Sequence, residues 1–294
     1  MYKYNETENV FYKVNLNEKF QLPQIVWHIT DKCHLSCFYC FADKTGTEFD
    51  VCDLDMYISK FRYLNIQKID ISGGEPLLFD NLDLLCGRLK SEGFQLTLTT
   101  TGIGTEKSIK WLIQNRNIFS RIILSMDIMD ADIQDMICGG KNILKRTKDL
   151  HQRLIKNGYK KVRINTVATR YLLNKCEIVK MAAYMRKTEA AEWCMIEMYP
   201  AAGNVHLKET CISREQFQSI LDIAESFMEN SEICSVISRY SDNYNGYWIL
   251  VPDGSLFMRS VNFTENMKIS LRECKEDEIK NYIVQGGINF PGKE

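Results

Sequence analysis

The chain is short of proline, with 5 in 294 residues, and it has no run rich in glycine and serine. No linker is therefore visible that would cut it into separate domains. It also lacks an excess of charge, since Lys+Arg 37 against Asp+Glu 38 gives a formal net charge of −1. No global field then favours nucleic acid or an anionic membrane, and any anionic substrate must be held by a local group of basic side chains. Nowhere does a window approach the roughly 20 apolar residues of a membrane span. The opening MYKYNETENVFYKVNLNEKF has no apolar core of a secretory signal. These absences predict a cytoplasmic protein with neither nucleic-acid nor membrane partners. Cysteine, by contrast, is plentiful at 11. An odd count without an export signal reads as reduced thiols, not a disulfide framework.

Short apolar runs alternate with amphipathic stretches. Strands are predicted at 24–30, 67–72, 94–100, 121–127, 161–169 and 192–200, with helices near 53–65, 81–91, 105–116 and 175–187 and a long helical region ending about 157. This alternation predicts an α/β fold of parallel strands, a partial (β/α)6 TIM-like barrel. The organisation expected is an N-terminal segment (1–23), a barrel core (24–200) and a C-terminal extension (201–294) acting as a cap. In the extension, a helix at 212–229 precedes YWILVPDGSLFM (247–258), whose Pro-Asp-Gly predicts a hairpin, and a short helix at 275–284 follows.

Residues 28–44, HITDKCHLSCFYCFADK, place Cys33, Cys37 and Cys40 at the spacing C-x3-C-x2-C just past the first strand. Three thiolates hold three irons of a [4Fe–4S] cluster and leave the fourth iron open to a small chelating molecule. The alternatives are three buried cysteines at a helix start, or a zinc site completed by His34 or a distant cysteine. A second motif, ISGGEPLL (71–78), ends the second strand with Gly73, Gly74, Glu75 and Pro76. Paired glycines admit a ligand against bare backbone, and a glutamate accepts hydrogen bonds from an ammonium group.

Together the two motifs, in this order at successive strand ends, resemble the radical S-adenosylmethionine (SAM) superfamily over roughly residues 24–200. The resemblance implies that Cys33, Cys37 and Cys40 ligate the cluster and that SAM chelates its fourth iron. Gly73, Gly74 and Glu75 would line the amino end of SAM, and Phe38, Tyr39 or Phe41 would pack on its adenine. Reductive cleavage of SAM would give a 5′-deoxyadenosyl radical that abstracts hydrogen from a substrate, with a reductase or flavodoxin-like protein as electron donor. Ser125 and Asp127 (LSMD) and Asn165 (RINTV) fall where the family contacts SAM. The family's Asn-Gly and Arg-Gly pairs are replaced by TTTG (99–102) and ICGG (137–140), leaving Lys141 or Arg170 to meet the SAM carboxylate.

A narrower resemblance, to the viperin-like branch, rests on WHIT, CFYCFADKT, KIDISGGEP, RINTVATR and VQGGINF. It implies a nucleotide or nucleoside substrate, with Lys44, Lys68, Arg163 and Arg170 as a basic patch. The departure is at Trp193, which that branch flanks with basic residues but which here lies between Glu192 and Cys194. An acidic neighbour would repel a triphosphate. Cys194 also raises a rival reading, a hydrogen-atom donor in radical modification of a ribosomally made peptide. With Cys211, Cys234 and Cys274 widely spaced and Met258 where an extension cysteine would stand, no auxiliary cluster is expected. A zinc-dependent adaptor is the non-enzyme alternative.

Overall fold

The computed structural model describes residues 2–5, 10–13, 22, 24–40, 42, 44–198, 210–229, 234–239, 247–259 and 268–284. Along the chain the strands are β1 (Tyr2–Asn5), β2 (Val10–Lys13), β3 (Gln24–His28), β4 (Lys68–Ser72), β5 (Gln95–Thr100), β6 (Phe119–Ser125), β7 (Val162–Ala168), β8 (Glu192–Glu197), β9 (Ser235–Arg239), β10 (Tyr247–Leu250), β11 (Ser255–Arg259) and β12 (Ile269–Ser270). The helices are α1 (Leu54–Tyr63), α2 (Leu82–Ser91), α3 (Glu106–Asn115), α4 (Ala131–Cys138), α5 (Ile143–Lys156), α6 (Lys175–Thr188), α7 (Arg214–Met228) and α8 (Glu276–Val284). The six expected strands all form, within a few residues of their anticipated ends. The long helical region up to 157 is two helices, because Gly139 closes α4 in the left-handed conformation at φ 62°. Four short strands escaped the sequence reading: β1, β2, β9 and β12.

The chain falls into two compact units. One comprises 1–32, 44–97 and 242–294, the other 33–43 and 98–241, and β5 carries the chain from the first to the second. In the first unit β3 runs parallel to β4, in register from Gln24 opposite Lys68 to His28 opposite Ser72. The expected hairpin forms. β10 pairs antiparallel with β11 across the Pro252–Gly254 turn and parallel with β3, so part of the C-terminal extension joins the sheet beside the first core strand. β1 and β2 form a separate antiparallel hairpin. An aromatic cluster fills the space between β3 and α1. Trp27 stacks on Tyr57 at 5.7 Å and meets Phe49 and Phe61 edge-on at 4.7 and 5.2 Å.

The second unit is a parallel sheet in the order β6, β7, β8, β9. Its registers align Ser125, Asn165, Cys194 and Ile237 in one row across the strands, and Ile123, Arg163, Glu192 and Ser235 in the row two residues earlier. In-register neighbours point to the same face, so both rows share it. On the opposite face Trp193 is buried, and its indole N–H donates to Thr166 Oγ1 at 3.0 Å. The amphipathic α5 buries Ile143, Leu144, Leu150 and Leu154 at helical spacing. Among the described residues no helix is long and apolar enough to cross a membrane.

Trp27 is fully buried among three rings. Its replacement by alanine should cost about 3–5 kcal/mol, read as a lower midpoint in urea unfolding followed by circular dichroism.

Candidate active site

GGEP follows β4 and lies flush against the backbone that leads out of β3. Gly74 N–H donates to Thr30 O at 2.6 Å and Glu75 N–H to Lys32 O at 2.8 Å. A Cβ on Gly73 would collide with Thr30 O, and one on Gly74 with Lys32 O. The paired glycines are therefore required first by a close approach of chain to chain, with Gly73 at φ 139°. Glu75 is almost fully buried. Its Oε1 accepts the Leu77 N–H at 3.1 Å, capping the turn that begins at Pro76. Of the sequence's basic candidates in this unit, Lys44 is exposed after the cysteine loop. Lys68 opens β4, at the end of that strand remote from GGEP.

The cysteine loop belongs to the second unit, where it is seated on the end of α4. Ser36 N–H donates to Cys138 O at 2.9 Å and Phe38 N–H to Ile137 O at 3.2 Å. Ser36 Oγ reaches Gly139 O at 3.5 Å, and a Cβ on Gly139 would run into that serine. The ICGG stretch, read in sequence as a place where a functional arginine is missing, is thus the seat of the cysteine loop. Cys40 N–H donates to Cys37 O at 3.1 Å, making a turn between the last two cysteines, and Leu35 N–H donates to Cys33 Sγ at 3.4 Å. Phe38 and Tyr39 are half-buried and meet edge-on at 5.5 Å. Phe41 lies outside the described residues.

Tyr39 is tethered. Its hydroxyl donates to Asp127 Oδ2 at 2.6 Å, while Val167 N–H donates to Asp127 Oδ1 at 2.8 Å. Burial pushes the Asp127 carboxyl above the usual range, opposed by these hydrogen bonds. Burial, then the Asp127 charge, raises the Tyr39 phenol well above its ordinary value. Gln134 completes the network. Its Oε1 accepts the N–H groups of Asp127 and Ile128, both at 3.0 Å, and its Nε2 donates to Cys138 Sγ at 3.0 Å and Asp127 Oδ2 at 3.4 Å. Asp127, which the family resemblance puts among SAM contacts, bonds here to Tyr39 of the loop, to Val167 and to Gln134.

Across the sheet, half-buried Ser125 and Asn165 and fully buried Cys194 stand in one row. Among the described residues, Asn165 Oδ1 is buried with no hydrogen-bond partner. In the preceding row Arg163 Nε lies 2.5 Å from Glu192 Oε2, and Arg121 Nη2 lies 2.6 Å from Glu192 Oε1. Burial lowers the Arg121 pKa, and the nearby positive charges of Arg163 and Arg239 lower it further against the pull of Glu192. Arg121 was overlooked because an arginine opening a strand reads as a surface charge, although its alternation with Ile123 and Ser125 placed it on their face. Arg170 is exposed after β7, its guanidinium 5.2 Å from the Tyr171 ring. Glu197 faces away from Cys194, its Oε1 taking Arg214 Nε at 2.7 Å.

No group of three or more His, Cys, Asp or Glu side chains among the described residues is gathered closely enough to hold a metal ion. The donor chemistry nevertheless fits an iron–sulfur cluster, since Cys33, Cys37 and Cys40 are half-buried cysteines outside any disulfide, in one short loop. The orphaned Asn165 carbonyl likewise suits a ligand that donates a hydrogen bond.

Comparison with known proteins accords with this chemistry. A family model described as the Radical SAM superfamily matches residues 27–183, just over half of the chain. The chain is 26% identical over 244 residues to a probable GTP 3′,8-cyclase of Methanococcus maripaludis, covering 74% of this chain and 81% of that protein. It is 21% identical over 295 residues to an S-adenosylmethionine-dependent nucleotide dehydratase of Lacinutrix mariniflava, covering 92% of this chain and 59% of the relative. The solved structure of Streptococcus suis SuiB bound to S-adenosylmethionine matches with a TM-score of 0.75 at 15% identity, over 96% of this chain and 69% of that one. SuiB has also been solved bound to its precursor peptide SuiA. At that identity the match speaks for the fold alone, an open barrel of the radical SAM type. The chain belongs to the radical SAM superfamily, and is an enzyme whose family implies a [4Fe–4S] cluster and SAM as cofactors.

Proposed function

We propose that this enzyme performs SAM-dependent radical chemistry on a small phosphate-bearing substrate of the nucleotide class. The observation that carries this reading is the placement of Arg121 and Arg163 against Glu192, on the strand face that also presents Asn165. Two guanidiniums outnumber one carboxylate, so the acidic residue that seemed to forbid a phosphate leaves a surplus of positive charge. Guanidinium forks match phosphate oxygens, and of the two Arg163 is buried while Arg121 is half-buried. The relatives named for action on GTP and on a nucleotide support the same class.

In this reading Cys33, Cys37 and Cys40 hold the cluster. Glu75 accepts from the SAM ammonium, Gly73 and Gly74 line it, and Asn165 offers its unpaired carbonyl. When bound, the cluster supplies the electron that cleaves SAM to the radical which takes hydrogen from the substrate. The chain's part is to hold and to exclude. The Tyr39–Asp127 bond and the backbone bonds to Ile137 and Cys138 keep the loop in place, and buried Cys194 closes its row to water. A second reading, radical modification of a peptide, is supported by that same thiol, which is in register with Asn165 and would be the hydrogen-atom donor.

Anaerobically reconstituted protein should bind about four irons, and changing Cys33, Cys37 and Cys40 together to alanine should abolish both the chromophore and SAM cleavage. Tight stoichiometric zinc with no iron uptake would favour the adaptor instead.

Glu75→Gln keeps an oxygen for the Leu77 N–H but removes the charge. SAM affinity should fall by about 1.5–3 kcal/mol in calorimetry while the cluster survives. Unchanged affinity would leave Glu75 a cap and nothing more.

Arg163→Met should raise the KM for a nucleotide by about ten- to a hundredfold, while slow substrate-free formation of 5′-deoxyadenosine persists. Glu192→Gln should lower that KM by freeing both guanidiniums. Nucleotide kinetics indifferent to both changes, alongside a Cys194→Ala protein that forms 5′-deoxyadenosine but stops after hydrogen abstraction, would transfer the assignment to peptides.

A further inference from the structure

The seat of the cysteine loop leads into a stretch of chain with a one-sided charge. From Met136 to Lys148 there are four cations and no acid, in a chain of formal net charge −1. Lys148 is turned to the Tyr184 ring, 5.3 Å from its centroid. The other three, Lys141, Lys145 and Arg146, are exposed, and among the described residues none of them meets an acid in an ion pair. Lys145 and Arg146 lie in the first turn of α5, which holds no acidic residue. The helix dipole disfavours cations at that end, so these charges do not serve the helix. The nearby Asp135 does serve it, its carboxylate accepting the N–H groups of Asn142 and Ile143 at 2.7 and 2.8 Å. The stretch abuts the cysteine loop, since a Cβ on Gly140 would run into Leu35 of the loop and Ile143 at the start of α5. Met136, one of the few exposed large apolar side chains among the described residues, lies just before the seat.

We propose that Met136, Lys141, Lys145 and Arg146 form the docking surface for an acidic electron-transfer protein. Reductive cleavage of SAM consumes one electron, and a protein that delivers it has to approach the cysteine loop. In the encounter the reduced donor loses one electron and the oxidised cluster gains it, with no bond made or broken. Exposed cations around an exposed methionine suit such a partner, because electron-transfer encounters are small, brief and steered by complementary charge. The proposal rests on the reading that Cys33, Cys37 and Cys40 hold the cluster.

The test uses the reconstituted full chain, a variant carrying Lys141→Glu with Lys145→Glu, and a control carrying Lys107→Glu with Lys110→Glu, which makes the same charge change at exposed positions of α3. The probe is a flavodoxin, an acidic one-electron flavoprotein, reduced by light. Iron content is measured first, then flavodoxin binding by calorimetry and the rate of cluster reduction by stopped-flow absorbance over a range of salt. In the α5 variant binding should weaken and the reduction rate at low salt should fall about tenfold or more, with the gap closing as salt rises. Dithionite should still reduce its cluster completely, and the control should behave as the wild type. An α5 variant with the wild-type rate and salt dependence overturns the proposal, as does an equal fall in the control. So does a wild-type cluster that dithionite reduces and flavodoxin does not. Loss of iron from the α5 variant makes its lysines structural and also overturns it. A wild-type protein that takes up no iron is a different result, since it refutes the cluster reading itself and this proposal with it.

Discussion

A buried carboxylate has to be satisfied, and the way Asp127 is satisfied orders the catalytic side of the second unit. Taking its charge out of water is costly unless several donors converge on it. Those donors come from three places: the Tyr39 hydroxyl in the cysteine loop, the Val167 N–H in β7 and the Gln134 amide in α4. Each bond compensates the carboxylate and in the same act fixes the element that supplies it. The loop of eight residues buries Leu35. The tether at Tyr39 and the backbone bonds to the end of α4 hold it further.

The strand face carrying Asn165 follows a similar logic with opposite charge. Glu192 by itself would be an unfavourable group for a half-buried position. Two arginines from neighbouring strands, Arg121 and Arg163, lie against it, and burial with the charge of Arg163 lowers the Arg121 pKa. An anion of higher charge is the natural complement of such a row. One row further on, a carbonyl without a donor and a buried thiol stand side by side. A stable fold seldom leaves polar groups in this condition except where a ligand completes them.

Much of the architecture was legible because it is local. Six apolar runs became strands, and the helices between them formed where the 3.6-residue pattern placed them. Pro252–Gly254 made the hairpin that turn chemistry demands. The short strands β1, β2, β9 and β12 were missed because their identity comes from a pairing partner and not from any strong pattern of their own. The glycines of GGEP were legible as significant, whereas ICGG stood out only for the Arg-Gly it lacks. At Gly74 the close approach is made by the backbone at Lys32, and at Gly139 by Ser36. No linear pattern distinguishes a glycine kept for a ligand from one kept for the chain itself.

The sequence by itself determined the chemistry on offer: three thiols at C-x3-C-x2-C, a GGEP strand end and an alternation that makes a parallel sheet. Such features depend on residues a few positions apart, whose relation is set by helix and strand geometry. Only the tertiary structure decided what these groups meet. Strand register put Glu192 beside two arginines and Cys194 beside Asn165, and the seating of the cysteine loop on α4 joined Ser36 to Cys138 and Phe38 to Ile137. The partners in each case are distant in the chain. A shift of one residue in register would turn each strand side chain to the other face, so these contacts exist only once the whole sheet has been assembled.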